Sequence, residues 1–373
     1  MIQRLLSKLI QERFFKGKAI LLLGPRQVGK STMIESLISG RDDVMEMNGD
    51  DTDVRAFLSQ ASVTSLKAAI GSRKILFIDE AQRIKNIGIA LKIITDRIKD
   101  VQVIATGSSS FELSNNVNEP LTGRKFEFLM YPLSFEEMVN HHGLLEEKRL
   151  LEHRMIYGYY PEVVTQPGEE RERLQLLANS YLYKDVLMLD QVQKPALLES
   201  LLRALALQVG SEVNFQEVAQ MIGSDRKTVE KYVDILQKAF VLFVVPAYSR
   251  NVRNEIKKGK KIYFYDCGIR NAIINNFKPL STRTDVGAIW ENFIIAERMK
   301  FLHYHNLRTK HYFWRTTQQQ EIDLIEESED GLNAVEIKWN PINKVRIPLT
   351  FTANYPGSKS QVITKDEFDS FIK

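Results

Sequence analysis

The chain has 373 residues, 44% hydrophobic and 26% charged, with a net charge of +4 and a single cysteine, Cys267. That length accommodates two or three separate cores, and the near-neutral balance excludes a polycation, so any nucleic-acid surface must be a local patch. One thiol excludes an intramolecular disulfide and a multi-cysteine zinc site, and fits a reducing cytoplasm.

No apolar run is long enough to span a membrane, so no membrane partner is expected. The opening "MIQRLLSKLIQERFFKGK" reads as an amphipathic, charged first helix rather than a signal peptide. Next, "AILLLGPRQVGKST" is an apolar strand, a GxxxxGKS turn and the start of a helix, which is the context a phosphate-binding loop requires. Gly24 and Gly29 let the loop turn so that backbone N–H groups of Gly24, Pro25, Arg26, Gln27, Val28, Gly29, Lys30, Ser31 and Thr32 (proline excepted) surround the phosphates. Lys30 reaches the β- and γ-phosphates and the Ser31 hydroxyl ligates Mg²⁺ in this reading.

"RKILFIDEAQ" (73–82) is a second apolar strand, ending in Asp79 and Glu80. An acid at the carboxyl end of a parallel strand lies where open α/β sheets bind ligands. Asp79 would hold the Mg²⁺ through water and Glu80 would polarise the attacking water. A third strand, "VQVIATGSSS" (101–110), ends in hydroxyls, and Thr106 or Ser108 is placed to sense the γ-phosphate or merely to form a turn. Arg124, in "PLTGRKFEF", either meets a γ-phosphate, in cis or in a neighbouring subunit of a homo-oligomer, or is a surface arginine. Strands at 19–23, 44–47, 74–78, 101–105 and 126–129 alternate with helices, which predicts a parallel sheet covered on both faces.

The segments "GPRQVGKST", "ILFIDEAQ", "ATGSSS", "LTGRKFEFLMYPLSFEE" and "GYYPEVV", in this order, resemble the AAA+ ATPases. More narrowly, the chain resembles widespread prokaryotic ATPases in which such a core precedes a winged helix and a domain of uncharacterised function. The resemblance runs nearly the whole length and implies ATP and Mg²⁺ as ligands. It also implies that the helical stretch 169–208, with its stripe in "YLYKDVLMLD", packs as a lid; a plain spacer fits the periodicity equally.

In "VNFQEVAQMIGSDRKTVEKYVDILQKAFVLFVVPAY" (213–248), Phe215, Val218, Ala219 and Ile222 predict a short helix. Gly223-Ser224 makes the turn, Ser224 or Asp225 caps, and Val229, Tyr232, Val233 and Leu236 predict a second helix. Arg226, Lys227, Lys231 and Lys238 are the exposed cations of that presumed recognition helix, able to meet phosphate or base edges. Two β-rich runs follow, joined by "SRNVRNEIKKGKK" (249–261), where Arg250, Arg253, Lys257, Lys258, Lys260 and Lys261 make a basic wing suited to DNA phosphates. Winged helices also serve as protein-binding modules, and that alternative stays open.

The helix "TDVGAIWENFIIAERMKFL" (284–302) carries Glu291. Three strand-like runs, a broken helix and a last strand follow, an order similar to restriction-endonuclease-like cores of the PD-(D/E)XK type. In a strand, Glu336 and Lys338 project on one face, and hairpin pairing brings Asp323 beside Glu336. Two carboxylates with a backbone carbonyl can bind Mg²⁺, Lys338 can orient the nucleophile, and Glu291 can complete the shell. The alternative is a retained fold without cleavage.

The expected architecture is α/β: a P-loop AAA+ core over 1–150, a helical lid or linker over 151–208, a winged helix over 209–280, and an endonuclease-like α/β domain over 281–373. The expected function is a cytoplasmic ATPase whose nucleotide state controls a DNA-binding, Mg²⁺-dependent DNA-cleaving module. The competing expectation is a slow regulatory switch whose C-terminal half binds protein.

Overall fold

The computed structural model describes residues 2–107, 120–179, 194–249, 259–340 and 346–373. The chain divides into two compact units, Met1–Pro132 with Lys238–Phe240, and Leu133–Gln237 with Val241–Lys373.

In the first unit, α1 (Leu6–Gln11) precedes β1 (Ala19–Leu23), α2 (Lys30–Ile38), β2 (Val44–Asn48), α3 (Thr52–Ser59), α4 (Val63–Ile70), β3 (Ile75–Asp79), α5 (Ile87–Arg97), β4 (Gln102–Gly107) and β5 (Lys125–Leu129). The strands form one sheet of order β2-β3-β4-β1-β5, and every pairing is parallel. β1 and β4 are buried along their length, as expected of continuous apolar runs covered on both faces, whereas the edge strands β2 and β5 are only partly buried. Because β4 lies between β1 and β3, its carboxyl end falls between the loop after β1 and the acids after β3. That topology positions the first site.

The second unit opens with five short helices: α6 (Phe135–His142), α7 (Leu144–Arg149), α8 (Leu151–Tyr157), α9 (Pro161–Thr165) and α10 (Glu170–Leu177). Residues 133–150, grouped with the nucleotide core on sequence, belong here because buried polar bonds tie them in. The Phe135 N–H donates to Glu297 Oε2 at 2.7 Å, and Lys300 Nζ donates to the Leu133 carbonyl at 3.0 Å. The apolar stripe expected of a lid, 181–190, lies outside the described residues.

Next come α11 (Pro195–Leu207), β6 (Glu212–Val213), α12 (Phe215–Met221), α13 (Arg226–Lys238), β7 (Leu242–Pro246), β8 (Lys260–Phe264) and α14 (Cys267–Ile273). The strands form an antiparallel sheet, β6-β8-β7. Asp225 starts α13 by accepting the Thr228 N–H at 3.0 Å on its side chain, one of the two caps expected. Val229, Tyr232, Val233, Ile235 and Leu236 form the buried stripe of α13.

The unit ends with α15 (Val286–Tyr304), β9 (Lys310–Arg315), β10 (Glu321–Ser328), β11 (Gly331–Ile337), α16 (Leu349–Asn354), β12 (Lys359–Ile363) and α17 (Asp369–Ile372). Its sheet has the order β12-β11-β10-β9, antiparallel across β9–β10–β11 and parallel at β11–β12. Trp314, Ile322, Ile325, Ala334 and Phe351 form a buried cluster on it. None of the described helices is long and apolar enough to cross a membrane.

Candidate functional site

Between β1 and α2 the chain turns so tightly that a side chain could not be added at its start. A Cβ on Gly24 would stand 2.0 Å from the Met130 carbonyl oxygen. Two N-terminal contacts hold the turn from below: Arg4 donates through Nη1 to the Val28 carbonyl at 2.6 Å and through Nη2 to the Tyr131 carbonyl at 2.7 Å. Pro25 and Val28 are buried, Arg26 is partly so, and Gln27 and Thr32 are exposed. Lys30 is buried and its ammonium donates to the carbonyls of Gly24 (3.0 Å) and Pro25 (2.7 Å), so it spans the loop as a cation. The α2 helix starts at Lys30, which gives the loop the partial positive end of a helix.

Ser31 Oγ faces the end of β3, at 2.9 and 2.8 Å from Asp79 Oδ1 and Oδ2. Thr106, at the end of β4, is fully buried and donates to Asp79 Oδ1, while the Glu80 N–H donates to Thr106 Oγ1 at 3.3 Å. Hard oxygens from Ser31 and Asp79 therefore meet beside the loop, a donor set that fits Mg²⁺. Ser108 lies outside the described residues. Two contributors carry no sequence signal of their own. Arg4 is one. Gly49 is the other: its N–H donates to the Asp79 carbonyl at 2.8 Å, and a Cβ there would lie 2.3 Å from the Glu80 carbonyl.

Arg124 departs from expectation. Its carbonyl accepts the Ala19 N–H at 2.9 Å, which places it at the amino ends of β1 and β5, while the phosphate loop leaves the carboxyl end of β1. The strand's five residues separate the two by about 15 Å at roughly 3.3 Å per residue. Its Nε pairs with Asp96 at 2.7 Å. A γ-phosphate contact in cis is thereby excluded, which leaves a contact in trans or a surface arginine paired with Asp96.

In the C-terminal sheet, the Leu324–Val335 pair fixes the hairpin register and brings Asp323 beside Glu336. Asp323 Oδ2 accepts the Ile337 N–H and the Lys338 ammonium, both at 2.8 Å, and Lys338 Nζ also lies 2.8 Å from Glu336 Oε2. Burial, reinforced by the Asp323 charge, pushes the Glu336 carboxyl up to about 7. Burial would lower Lys338, but Asp323 and Glu336 outweigh it and hold the ammonium above its usual value.

Glu291 has partners of its own, though it lies near enough to feel the Asp323 charge. Its Oε1 accepts from Tyr263 Oη at 2.6 Å and from Lys261 Nζ at 3.0 Å, and Lys261 also pairs with Glu321 at 2.6 Å. Two expectations are corrected together. Glu291 is engaged by Lys261 rather than completing a shell with Asp323 and Glu336, and no trio of His, Cys, Asp or Glu among the described residues is arranged to hold an ion. Lys261 is no wing cation either: its side chain is 1% exposed and committed to two carboxylates, so it cannot reach a phosphate. What fits a divalent ion here is the Asp323–Glu336 pair alone, with Lys338 already between them.

Of the remaining basic residues, Lys227 and Lys231 are exposed on α13, Arg226 pairs with Glu230 at 2.8 Å, and Lys260 lies 4.9 Å over the Phe215 ring. Arg250, Arg253, Lys257 and Lys258 lie outside the described residues.

A parallel sheet of order β2-β3-β4-β1-β5, with a lysine-bearing loop after β1 and a serine–aspartate pair bridging to β3, is a sheet core typical of P-loop ATPases. Residues 16–139 match the family described as an AAA domain, and residues 148–280 and 286–370 match two families described as domains of unknown function. An uncharacterised protein of Mycobacterium tuberculosis is 25% identical over 333 residues, 88% of this chain and 72% of the relative. One from Methanocaldococcus jannaschii is 23% identical over 368 residues, 92% and 80% of the two chains. Among solved structures, a Walker-type ATPase of Pyrococcus abyssi shares the fold with a TM-score of 0.51 at 15% identity, over 73% of this chain and 96% of that one.

Proposed function

We propose that the chain binds and hydrolyses ATP in its first unit, and that the nucleotide state controls a second unit that binds duplex DNA. The observation that carries the ATPase reading is the convergence of Ser31, Asp79 and Thr106 at the carboxyl edge of the sheet, beside a loop spanned by Lys30. Loop amides would bind the phosphates, and Lys30 would exchange its carbonyl partners for phosphate oxygens. Ser31 and Asp79 would hold Mg²⁺, which when bound neutralises charge on the β- and γ-phosphates. Glu80 would take a proton from water as the water oxygen bonds to the γ-phosphorus and the β–γ bridging oxygen leaves with its electron pair, giving ADP and phosphate. Calorimetry with MgATP, paired with phosphate release, tests this. Binding and turnover by the wild type and none by Lys30→Ala are expected; a wild type without binding heat overturns it. In a homo-oligomer Arg124 would act on a neighbour's nucleotide, and mixing Arg124→Ala with Lys30→Ala subunits would restore turnover.

In the second unit, α12, the Gly223-Ser224 turn and Asp225-capped α13, followed by β7 and β8, support a winged helix that presents Lys227 and Lys231 to DNA phosphates. Asp323, Glu336 and Lys338 support a PD-(D/E)XK-type site for Mg²⁺-dependent cleavage, with Asp323 and Glu336 as the residues that would hold the ion. Nicking of supercoiled DNA with Mg²⁺ or Mn²⁺, lost in Lys338→Ala, is the expected result. The second reading is a regulatory switch with a non-catalytic, protein-binding C-terminal unit, favoured by the lysine already seated in each acidic cluster. DNA affinity that falls steeply with salt supports the first reading, and absent DNA binding supports the second.

A further inference from the structure

We infer that Gln82 is a positioning residue for ATP hydrolysis, acting through Glu80; this rests on the ATPase reading above. Gln82 lies on the 3-10 turn Ala81–Arg83 that follows β3, and only 8% of it is exposed. Its Nε2 donates to Glu80 Oε2 at 2.5 Å.

The backbone under Glu80 is unusual as well. Glu80 sits at φ 49, ψ 40, a left-handed conformation that non-glycine residues adopt at a cost of roughly 1–3 kcal/mol and that concentrates at functional sites. The turn is closed by Arg83 N–H to the Glu80 carbonyl at 3.0 Å and Ile84 N–H to the Ala81 carbonyl at 3.1 Å. Outside it, Arg83 pairs with Asp50 at 2.8 Å. Ala81 is fully buried inside it.

These bonds fix both ends of Glu80. Its N–H is held by Thr106 Oγ1, the same hydroxyl that donates to Asp79, and its carboxylate is held by the Gln82 amide. A glutamate in water rotates about three side-chain torsions, so most of its orientations are useless to a water beside the γ-phosphate. A donor on one oxygen selects the carboxylate plane and leaves the other oxygen, Oε1, to receive the proton. Placing a general base in this way raises the rate without changing nucleotide affinity.

A purely structural glutamine would behave differently, because removing it would weaken the fold or the binding of ATP rather than the chemical step. The test is a double-mutant cycle with Gln82→Met, of similar length but without the amide, made in the wild type and in Glu80→Gln. In the wild type, turnover is expected to fall about 10- to 100-fold, with ATP affinity and KM within about twofold. In the Glu80→Gln background, Gln82→Met is expected to cost nothing further, because the group it orients is already gone. If Gln82→Met cannot bind ATP, Gln82→Asn, which keeps the amide on a shorter arm, takes its place in the same cycle. Unchanged turnover in the wild type, or an equal loss in both backgrounds, overturns the role of Gln82 while leaving the ATPase reading intact. A wild type with no ATP turnover at all overturns both.

Discussion

The acids of the two units are satisfied in different ways. Asp79 receives hydroxyl groups, Ser31 on both oxygens and Thr106 on one. Asp323 and Glu336 share the ammonium of Lys338, and Glu291 and Glu321 share that of Lys261. Hydroxyls stabilise a carboxylate while leaving its charge for an arriving cation. A lysine supplies the charge itself, so an incoming ion must displace it or add to it. The first site therefore offers an arriving cation no built-in competitor among these contacts, whereas in the second each pair of carboxyls already holds one lysine.

The largest effect that would sharpen this contrast is on turnover. Glu80→Gln removes the proposed base while leaving Ser31, Asp79 and Lys30 in place, so hydrolysis should fall about 10²- to 10⁴-fold. ATP binding, read by calorimetry, should persist; equal turnover in the two proteins would remove Glu80 from the water-activating role. Next in size is Lys261→Met. It removes the cation that Glu291 and Glu321 share, leaving only Arg315 at 4.0 Å from Glu321, which should destabilise the second unit by about 3–5 kcal/mol in denaturant titration. A loss below about 1 kcal/mol would mean that water, not Lys261, balances those carboxylates. Lys338→Met comes third. With the competing charge gone, Mn²⁺ should bind the Asp323–Glu336 pair roughly tenfold more tightly, about 1.4 kcal/mol, even as any DNA nicking disappears. Unaltered Mn²⁺ affinity would show that the lysine does not compete.

Why one site was more legible than the other follows from range. The parallel core could be read from the sequence because strands buried on both faces are unbroken apolar runs. "ILFID" emerged as Ile75–Asp79, with its acid at the carboxyl end. The Asp323–Glu336 proximity was legible too, since a hairpin and a two-residue period are local facts. Lys261 was not. In sequence it closes a run of wing cations, and only pairing with Glu291 and Glu321, distant along the chain, buries it. Arg124 could have been placed from its sequence position, because a residue just before a parallel strand lies at that strand's amino end, away from the phosphate loop. Arg4 and Gln82 carry no local pattern, and their roles come from carbonyl and carboxylate partners supplied by the folded chain.

The smallest expected effect concerns pH, and it distinguishes a carboxylate balanced by lysine from one that is not balanced completely. Burial, aided by the Asp323 charge, pushes Glu291 from 4.5 up to about 7 despite Lys261 and Tyr263, which pull it down. A carboxyl raised in the folded state binds its proton more tightly there than in the unfolded chain. Between those two values the folded protein holds more protons, so stability falls as pH rises through the window. Glu336, also pushed up to about 7, acts in the same sense and window. Asp285 acts oppositely: despite burial, Arg283 and Arg270 lower it to about 2, so its contribution is lost only as pH falls below about 4. Denaturant titration in EDTA from pH 5 to 7.5 should therefore show a decline that is shallower in Glu291→Gln by on the order of 1 kcal/mol across the window. Parallel wild-type and Glu291→Gln curves would mean that Lys261 and Tyr263 offset the burial of Glu291 and that Glu336 carries the decline.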